Sequence, residues 1–252
     1  MDDQTQPAAP GNDIVVFTGA GISVSAGLPP YRGPGGLWND STIALASLAQ
    51  NVAKYPQLCW EHWGTMRSKA HAAEPTAAHR ALAEAEARLP EGFTLNILTQ
   101  NVDGLHTKAG SRNVIEFHGN LFTTRCSNSR CKLEPFADTD PHLAEVPHCA
   151  LCGSVLRPAL IMFGDQVDQD KHKSARRFFA KARTLIVIGS SLEVYPAKNL
   201  VRDRVYSKNV RPVWVNLQPP TCYFKCYRPG DRHCRPADDV LPTLMEQLVP
   251  RS

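Results

Sequence analysis

Two stretches of this chain carry side chains whose types and spacing can do chemistry. The first, Thr99 to Asn120, reads TQNVDGLHTKAGSRNVIEFHGN. It places Thr99, Gln100, Asn101 and Asp103 directly after an apolar run, Phe93 to Leu98, and His118-Gly119 directly after a second run, Val114 to Phe117. Short apolar runs of this kind read as buried strands. Open α/β sheets bind ligands at the carboxyl ends of their strands. Amides and an acid at one strand end suit a polar ligand, and a lone imidazole at another suits a general base. The competing reading is a well-capped loop with a turn at Asp103-Gly104. The second stretch holds Cys126-x4-Cys131 and, after seventeen intervening residues, Cys149-x2-Cys152. Two close cysteine pairs across a polar segment predict a tetrahedral four-thiolate zinc site. With all four positions filled by protein, that zinc is structural. His148 is the alternative ligand, the poorer choice while four thiols are present.

Other segments must position these groups. Asp13 to Thr18 reads as a strand, and Gly19-Ala20-Gly21 follows at once, the turn needed where backbone approaches a pyrophosphate and a helix begins. Ser23 and Ser25 can cap that helix or donate to it. Val24 stands where a dinucleotide fingerprint would carry its third glycine. Leu28 to Gly36 is a Pro/Gly-rich loop, read as a lid that brings Arg32 to a phosphate in preference to a plain surface connection. Trp38 to Leu89 reads as several helices, started by Pro56 and Pro75, with Trp60 and Trp63 in the core. His62, His71 and His79 lack ligand spacing and are expected to be structural or exposed. Strands are predicted over Pro158 to Phe163, Thr184 to Ile188 and Arg211 to Val215. Gly164-Asp165, Gly189-Ser190-Ser191 and Asn216 stand at their ends. Helices are predicted over Asp170 to Ala182 and Pro236 to Leu248. Cys59 reads as a small buried residue. Cys222, Cys226 and Cys234 read as spare thiols of an irregular surface loop rather than a second metal site with His233.

The composition bounds the rest. At 252 residues, 42% hydrophobic and 21% charged, the chain can bury one sizeable core with a satellite module. The net charge of +4 comes without a long basic run, so direct nucleic-acid binding is not expected. No segment approaches the ~18–20 apolar residues of a membrane span. Residues 1–12 read as a disordered acidic, Pro/Ala-rich tail without a signal core, and the protein as cytosolic.

Taken together, GAGISVSAGLPPYRG (Gly19 to Gly33), TQNVDGLH (Thr99 to His106), FHGN (Phe117 to Asn120), the two cysteine pairs, FGD (Phe163 to Asp165), GSSLEVYPA (Gly189 to Ala197) and VNL (Val215 to Leu217) resemble the sirtuin family of NAD-dependent protein deacylases. The match runs from about Asp13 to Leu248. The resemblance implies a Rossmann-like parallel sheet with helices on both faces, built from 13–36, 91–119 and 158–250. It implies a small domain made of a helical insertion, 37–90, and a zinc module, 120–157. NAD as co-substrate and an acylated-lysine protein or peptide would meet between them, giving lysine, nicotinamide and O-acyl-ADP-ribose.

Carried over residue by residue, Gly19, Ala20, Gly21, Gly189, Ser190, Ser191 and Asn216 hold the phosphates and adenosine half of NAD, with Arg32 beside the phosphates. Gln100 holds the nicotinamide ribose, and Asn101 and Asp103 line the nicotinamide pocket with Ile22. His118 is the catalytic base, with Asn101 beside the chemistry. Phe163-Gly164 and Leu192-Glu193-Val194 sandwich the substrate backbone as an added strand. The lid has Tyr31 where Phe is usual and Pro30 where Asp or Thr is common, and Asp165 stands for the usual Glu. Spacing is closest to class III sirtuins, which anchor acidic acyl groups with a Tyr-x-x-Arg pair; here those positions are Trp63 and Met66, with Arg67 one residue late. An uncharged acyl group is therefore expected. The alternatives are a mono-ADP-ribosyltransferase or NAD hydrolase on the same site, and a non-catalytic NAD-sensing module.

Overall fold

In the computed structural model, which describes residues 12–31, 35–220 and 223–249, the apolar runs form a six-stranded parallel sheet. Its strands are β1 (Asn12–Thr18), β2 (Phe93–Thr99), β3 (Val114–Glu116), β7 (Thr184–Ile188), β8 (Arg211–Val215) and β9 (Arg232–His233), in the order β3-β2-β1-β7-β8-β9. Thr18 lies beside both Thr99 and Ile188, Thr99 beside Glu116, and Ile188 beside Val215. Five strands therefore end at one level, and the polar turns that follow them share one edge of the sheet. That shared level is what converts motifs scattered over two hundred residues into one site.

Parallel strands covered on both faces need apolar side chains in both directions. One face, with Ile14 and Val16, packs on α4 (Ala77–Ala87) and α8 (Ala237–Leu248) through Leu82, Leu241 and Leu244. The other, with Val15 and Phe17, packs on α6 (Gln169–Lys181) and α7 (Ala197–Val205) through Phe179, Leu200 and Val201. A three-stranded antiparallel sheet, β5-β4-β6, stands apart: β4 (Gly119–Cys126), β5 (Phe136–Ala137) and β6 (Leu156–Leu160). The other α-helices of the described residues are α1 (Ser41–Ala46), α2 (Asn51–Lys54), α3 (Pro56–Ala72) and α5 (Leu105–Lys108).

Several expectations change. The helix after the glycine turn is instead two short 3-10 turns, Ala20–Ile22 and Val24–Ala26, the second ended by Gly27 at φ +83°. The strand expected over Pro158 to Phe163 lies at Leu156–Leu160 and pairs antiparallel with β4, so its neighbours belong to the small sheet. Pro56 does open α3, but Pro75 precedes a Thr76 cap whose hydroxyl accepts from the His79 backbone, while His79 Nδ1 accepts from the Thr76 backbone. α4 covers the parallel sheet although it lies within the expected helical insertion. The loop expected to be irregular contains β9, which extends the sheet, and buries Tyr227 and Asp231; Arg211 pairs with Asp231 at 2.7 Å. Cys222 and residues 1–11 lie outside the described residues. Cys59 is buried as expected.

Arg67 is the most consequential residue of α3. It is fully buried, and its guanidinium donates to Leu121 O at 2.7 Å, Thr124 Oγ1 at 2.9 Å and Asp140 O, and pairs with Asp138 at 3.0 Å. It thus bolts α3 to β4 and the loop after β5. Burial alone would raise the Asp138 pKa, but hydrogen bonds from Thr124 and His142 and the charge of Arg67 outweigh it and hold it at about 2. Gly64 makes the approach possible, because a Cβ there would stand 2.0 Å from Pro141 O. Removing one partner of a buried pair leaves the other uncompensated. Arg67→Ala is therefore expected to lose about 3–5 kcal/mol of stability, read as a lowered midpoint in urea; a variant as stable as the parent would contradict this role.

Candidate active site and metal centre

The glycine turn sits against the end of β7. Gly19 N donates to Ile188 O at 3.0 Å and Gly21 N to Gly189 O at 2.9 Å. A Cβ on Gly21 would meet Gly189 Cα at 2.6 Å, and Gly189 itself has φ +57°. The two turns interlock so closely that only glycine fits at either position. Ala20 is half-buried and Gly21 exposed, so the turn presents backbone at the strand ends. Ser190 Oγ donates to Gln100 Oε1 at 2.9 Å, and Asn216 Nδ2 to Ser190 O at 3.0 Å. Gln100, Ser190 and Asn216 thus form one linked set across β2, β7 and β8.

A second set lies beneath. Ser23 Oγ donates to Asp103 Oδ2 at 2.7 Å and accepts from Asn101 Nδ2 at 3.1 Å. Asp103 Oδ1 accepts from Leu105 N at 3.0 Å, closing the turn that leads into α5. Asn101 and Asp103 are both buried, and Ile22 is buried in the core under the turn. Ser23 is the residue that sequence reasoning missed here, as a cap or donor to a helix that does not form; its partners lie 78 and 80 positions away. His79 and His106 form a buried pair with ring centroids 4.7 Å apart, and His106 Nε2 meets Thr18 Oγ1 at 3.0 Å. His79 is structural, as expected.

His118 projects from the turn after β3. Its Nδ1 lies 3.1 Å from Gln100 O. A carbonyl only accepts, so Nδ1 carries the proton and Nε2 keeps its lone pair. Burial pushes the imidazole pKa below its ordinary value, against the raising effect of the Gln100 carbonyl, and Lys171 lowers it further. The ring is therefore neutral at pH 7. Gly119 holds the turn at φ +88°, where a Cβ would stand 2.0 Å from Ala159 O. A neutral imidazole with one free nitrogen, set among amides that bind but cannot act as bases, is equipped to take one proton from a bound ligand.

Around this edge, Phe163 pairs with the segment after α1: its N donates to Ser47 O, and its O accepts from Ala49 N, each at 3.0 Å. Tyr31 stacks on its ring at 6.3 Å between centroids, and Trp38 lies tilted against it at 4.5 Å. Asp165, in place of Glu, accepts two bonds from Arg157 and one from Met162 N, which fixes the Phe163-Gly164 turn. Leu192 is buried at φ +55°, while Ser191 and Glu193 are exposed and Val194 is half-buried. Arg32 lies outside the described residues. Trp63 is buried, its Nε1 donating to Ala46 O at 3.0 Å, and the half-buried Met66 packs on the same cluster.

At the metal centre, the sulfurs of Cys126, Cys131, Cys149 and Cys152 all lie within 4.8 Å of one another. Two pairs stand at 3.5 Å (Cys126 and Cys152) and 3.6 Å (Cys131 and Cys149). Thiolates placed tetrahedrally about one zinc at about 2.3 Å lie about 3.8 Å apart, so the set fits that ion and leaves no position open. His148 takes no part in the cluster, and its Nδ1 lies 3.0 Å from Gly153 O. The four cysteines form the one such cluster among the described residues, and Cys226 and Cys234 take no part.

A parallel sheet with its glycine turn, amides and serines gathered at the strand ends defines a Rossmann-like dinucleotide-binding protein carrying a structural zinc module. The Sir2 family model matches residues 19–196. NAD-dependent protein deacylase 2 of Pyrobaculum aerophilum is 36% identical, over 94% of this chain and 91% of its own. The mitochondrial NAD-dependent protein deacylase sirtuin-5 of Danio rerio is 34% identical, over 93% and 82%. A solved Sir2 homologue–NAD complex superposes with a TM-score of 0.83 at 33% identity, covering 94% of this chain and 90% of that one. A mutant Sir2 homologue bound to ADP-ribose gives 0.84 at 32%, covering 94% and 92%. This chain belongs to the Sir2 family, the sirtuins.

Proposed function

We propose that this chain is an NAD-dependent protein-lysine deacylase that prefers uncharged acyl groups, acetyl foremost. The observation that carries the reading is His118, neutral, oriented by Gln100 and placed among the amides at the strand ends. The donor set suits NAD: backbone of the Gly19–Gly21 turn with Ser190, Ser191 and Asn216 for phosphates and adenosine, Gln100 for the nicotinamide ribose, and Asn101 and Asp103 with Ile22 for the carboxamide. Arg32 adds a guanidinium for the phosphates. When bound, NAD supplies an electrophilic ribose carbon with nicotinamide as leaving group and carries the acyl group away as O-acyl-ADP-ribose. Asn101 and Asp103 orient, Ser23 keeps both in place, and His118 Nε2 takes a ribose hydroxyl proton. Gly164 and Leu192-Glu193-Val194 receive the acyl-lysine backbone as an added strand, with Phe163, its own backbone paired to Ser47 and Ala49, flanking it, which gives affinity with little sequence demand. The catalytic cleft lies between the parallel sheet and the small sheet, and a reducing compartment such as the cytosol suits the thiolates. The test is incubation with an acetyl-lysine peptide with and without NAD, read by mass spectrometry. Loss of the acetyl mass only with NAD is expected; loss without NAD would overturn the proposal.

Acyl preference follows from α3. Arg67, the cation one residue beyond the acyl positions in sequence, is spent on Asp138, Leu121, Asp140 and Thr124, and turning it into the pocket would break all of these. Trp63 and Met66 offer an indole and a thioether. Desolvating an unpaired carboxylate costs several kcal/mol, enough for a loss of about two orders of magnitude. Succinyl peptide is expected to react with a kcat/KM about a hundred-fold below that of the matched acetyl peptide. A succinyl preference would show that another cation serves the pocket.

A further inference from the structure

Charge is distributed unevenly along this chain. From the start of α6 to the start of β8, residues 169–211 carry eleven Lys or Arg against three Asp or Glu, net +8, in a chain whose total is +4. The remaining residues therefore sum to −4. The cations occur singly or in pairs, so no basic run marks them. Packing gathers them, because α6 and α7 lie together over the Val15 and Phe17 face of the sheet.

On α6, Lys173, Arg177 and Lys181 follow one another at four-residue steps and are all exposed. Such side chains stand about 5–6 Å apart along a helix. Arg176, Arg177 and Lys181 make no ion pair among the described residues. Along α7 and its cap, Lys198, Arg202 and Tyr206 follow the same four-residue step, and Tyr195 stands three positions before Lys198. Tyr195 is 63% exposed and Tyr206 66%. Lys198 Nζ lies 5.5 Å from the Tyr195 ring centre, and Tyr223 braces Tyr206 edge-on at 5.7 Å. Two large rings are thus held in water with the half-buried Lys198 and the Asp203-paired Arg202 between them, and α6, which packs on α7, carries a second row of cations. The core uses neither ring, and the proposed reaction uses none of these groups.

We infer that the α6–α7 face binds single-stranded nucleic acid without sequence preference. Solvated cations at regular spacing track a phosphate backbone, and exposed aromatic rings stack unpaired bases. An acidic protein would satisfy the cations but has no bases for Tyr195 and Tyr206. A duplex keeps its bases out of their reach.

The test is fluorescence anisotropy of a labelled twenty-nucleotide oligo(dT) with the full chain, independent of any catalytic reading. Saturable binding is expected at low salt, weakening about a hundred-fold between 50 and 200 mM salt if about five phosphates are contacted. Tyr206→Ala is expected to lose about ten-fold or more, the scale of one stacked base. Arg177→Glu is expected to weaken binding and flatten its salt dependence. Both side chains lie on the outside of the fold, and unchanged melting temperatures verify that the variants are folded. The inference is overturned by absence of binding at 50 mM salt, or by Tyr206→Ala binding like the parent. It is equally overturned if polyglutamate competes as well as unlabelled oligo(dT), or if a duplex of the same length binds as tightly.

Discussion

His118→Ala is expected to lower deacylation turnover by about 10²–10⁴-fold, the usual worth of a positioned general base, while NAD affinity stays within a few-fold of the parent. The amides and serines proposed to hold NAD are anchored to one another, Ser190 to Gln100 and Asn101 to Ser23, and none of those bonds passes through the imidazole. Isothermal titration with NAD separates the two effects; turnover within a few-fold of the parent would place the base elsewhere. The pH profile follows from the same ring. Burial lowers its folded pKa below the ordinary ~6.5, so the base-competent neutral form persists to lower pH than a solvated imidazole would allow. Activity is expected to hold from pH 8 through about 6.5 and to fall only below that, as Nε2 becomes protonated. A half-maximum above pH 7 in kcat/KM would contradict this environment.

Removing zinc is expected to unfold the small module. Its apolar cluster is little more than Cys126, Cys149 and Leu156, with Cys131 and Leu133 packed beside it. That is too little apolar area to offset the entropy of ordering the segment. Structural zinc contributes on the order of 10–16 kcal/mol of apparent binding energy, which in such a module is folding energy. Metal analysis should find one zinc per chain. Chelation, or Cys149→Ser, should remove hydrogen-exchange protection from the outer halves of β4 and β6. Activity should fall with it, because β4 begins at Gly119, next to His118, and Arg67 ties α3 to the same strand. A metal-free protein with full protection and activity would contradict the assignment.

Much of this was legible in the sequence, for a physical reason. Strand ends in parallel sheets share a level, so a polar cluster after each apolar run already reports a site, and four thiols report their ion by spacing alone. What could not be read depends on contacts between distant segments. Ser23 looked like a helix cap because its partners Asn101 and Asp103 enter from another strand. Arg67 stands one residue late for an acid anchor in the sequence, and what engages it instead, β4 and the loop after β5, comes from more than fifty positions away. β9 has only two residues, too short for any periodic signal, and exists because β8 offers an edge. The basic face of α6 and α7 has no contiguous run, since helical packing rather than sequence order collects its charge.

The coupling of the two substrates tests the deacylase account most directly. In a single reaction containing NAD and an acetyl-lysine peptide, nicotinamide, deacetylated peptide and O-acetyl-ADP-ribose are measured together by mass spectrometry. The expected result is equal amounts of all three, with no nicotinamide release beyond the peptide consumed. Nicotinamide and free ADP-ribose formed without loss of the acetyl group, or ADP-ribose attached to the peptide, would contradict the account and assign the site to NAD hydrolysis or ADP-ribosyl transfer.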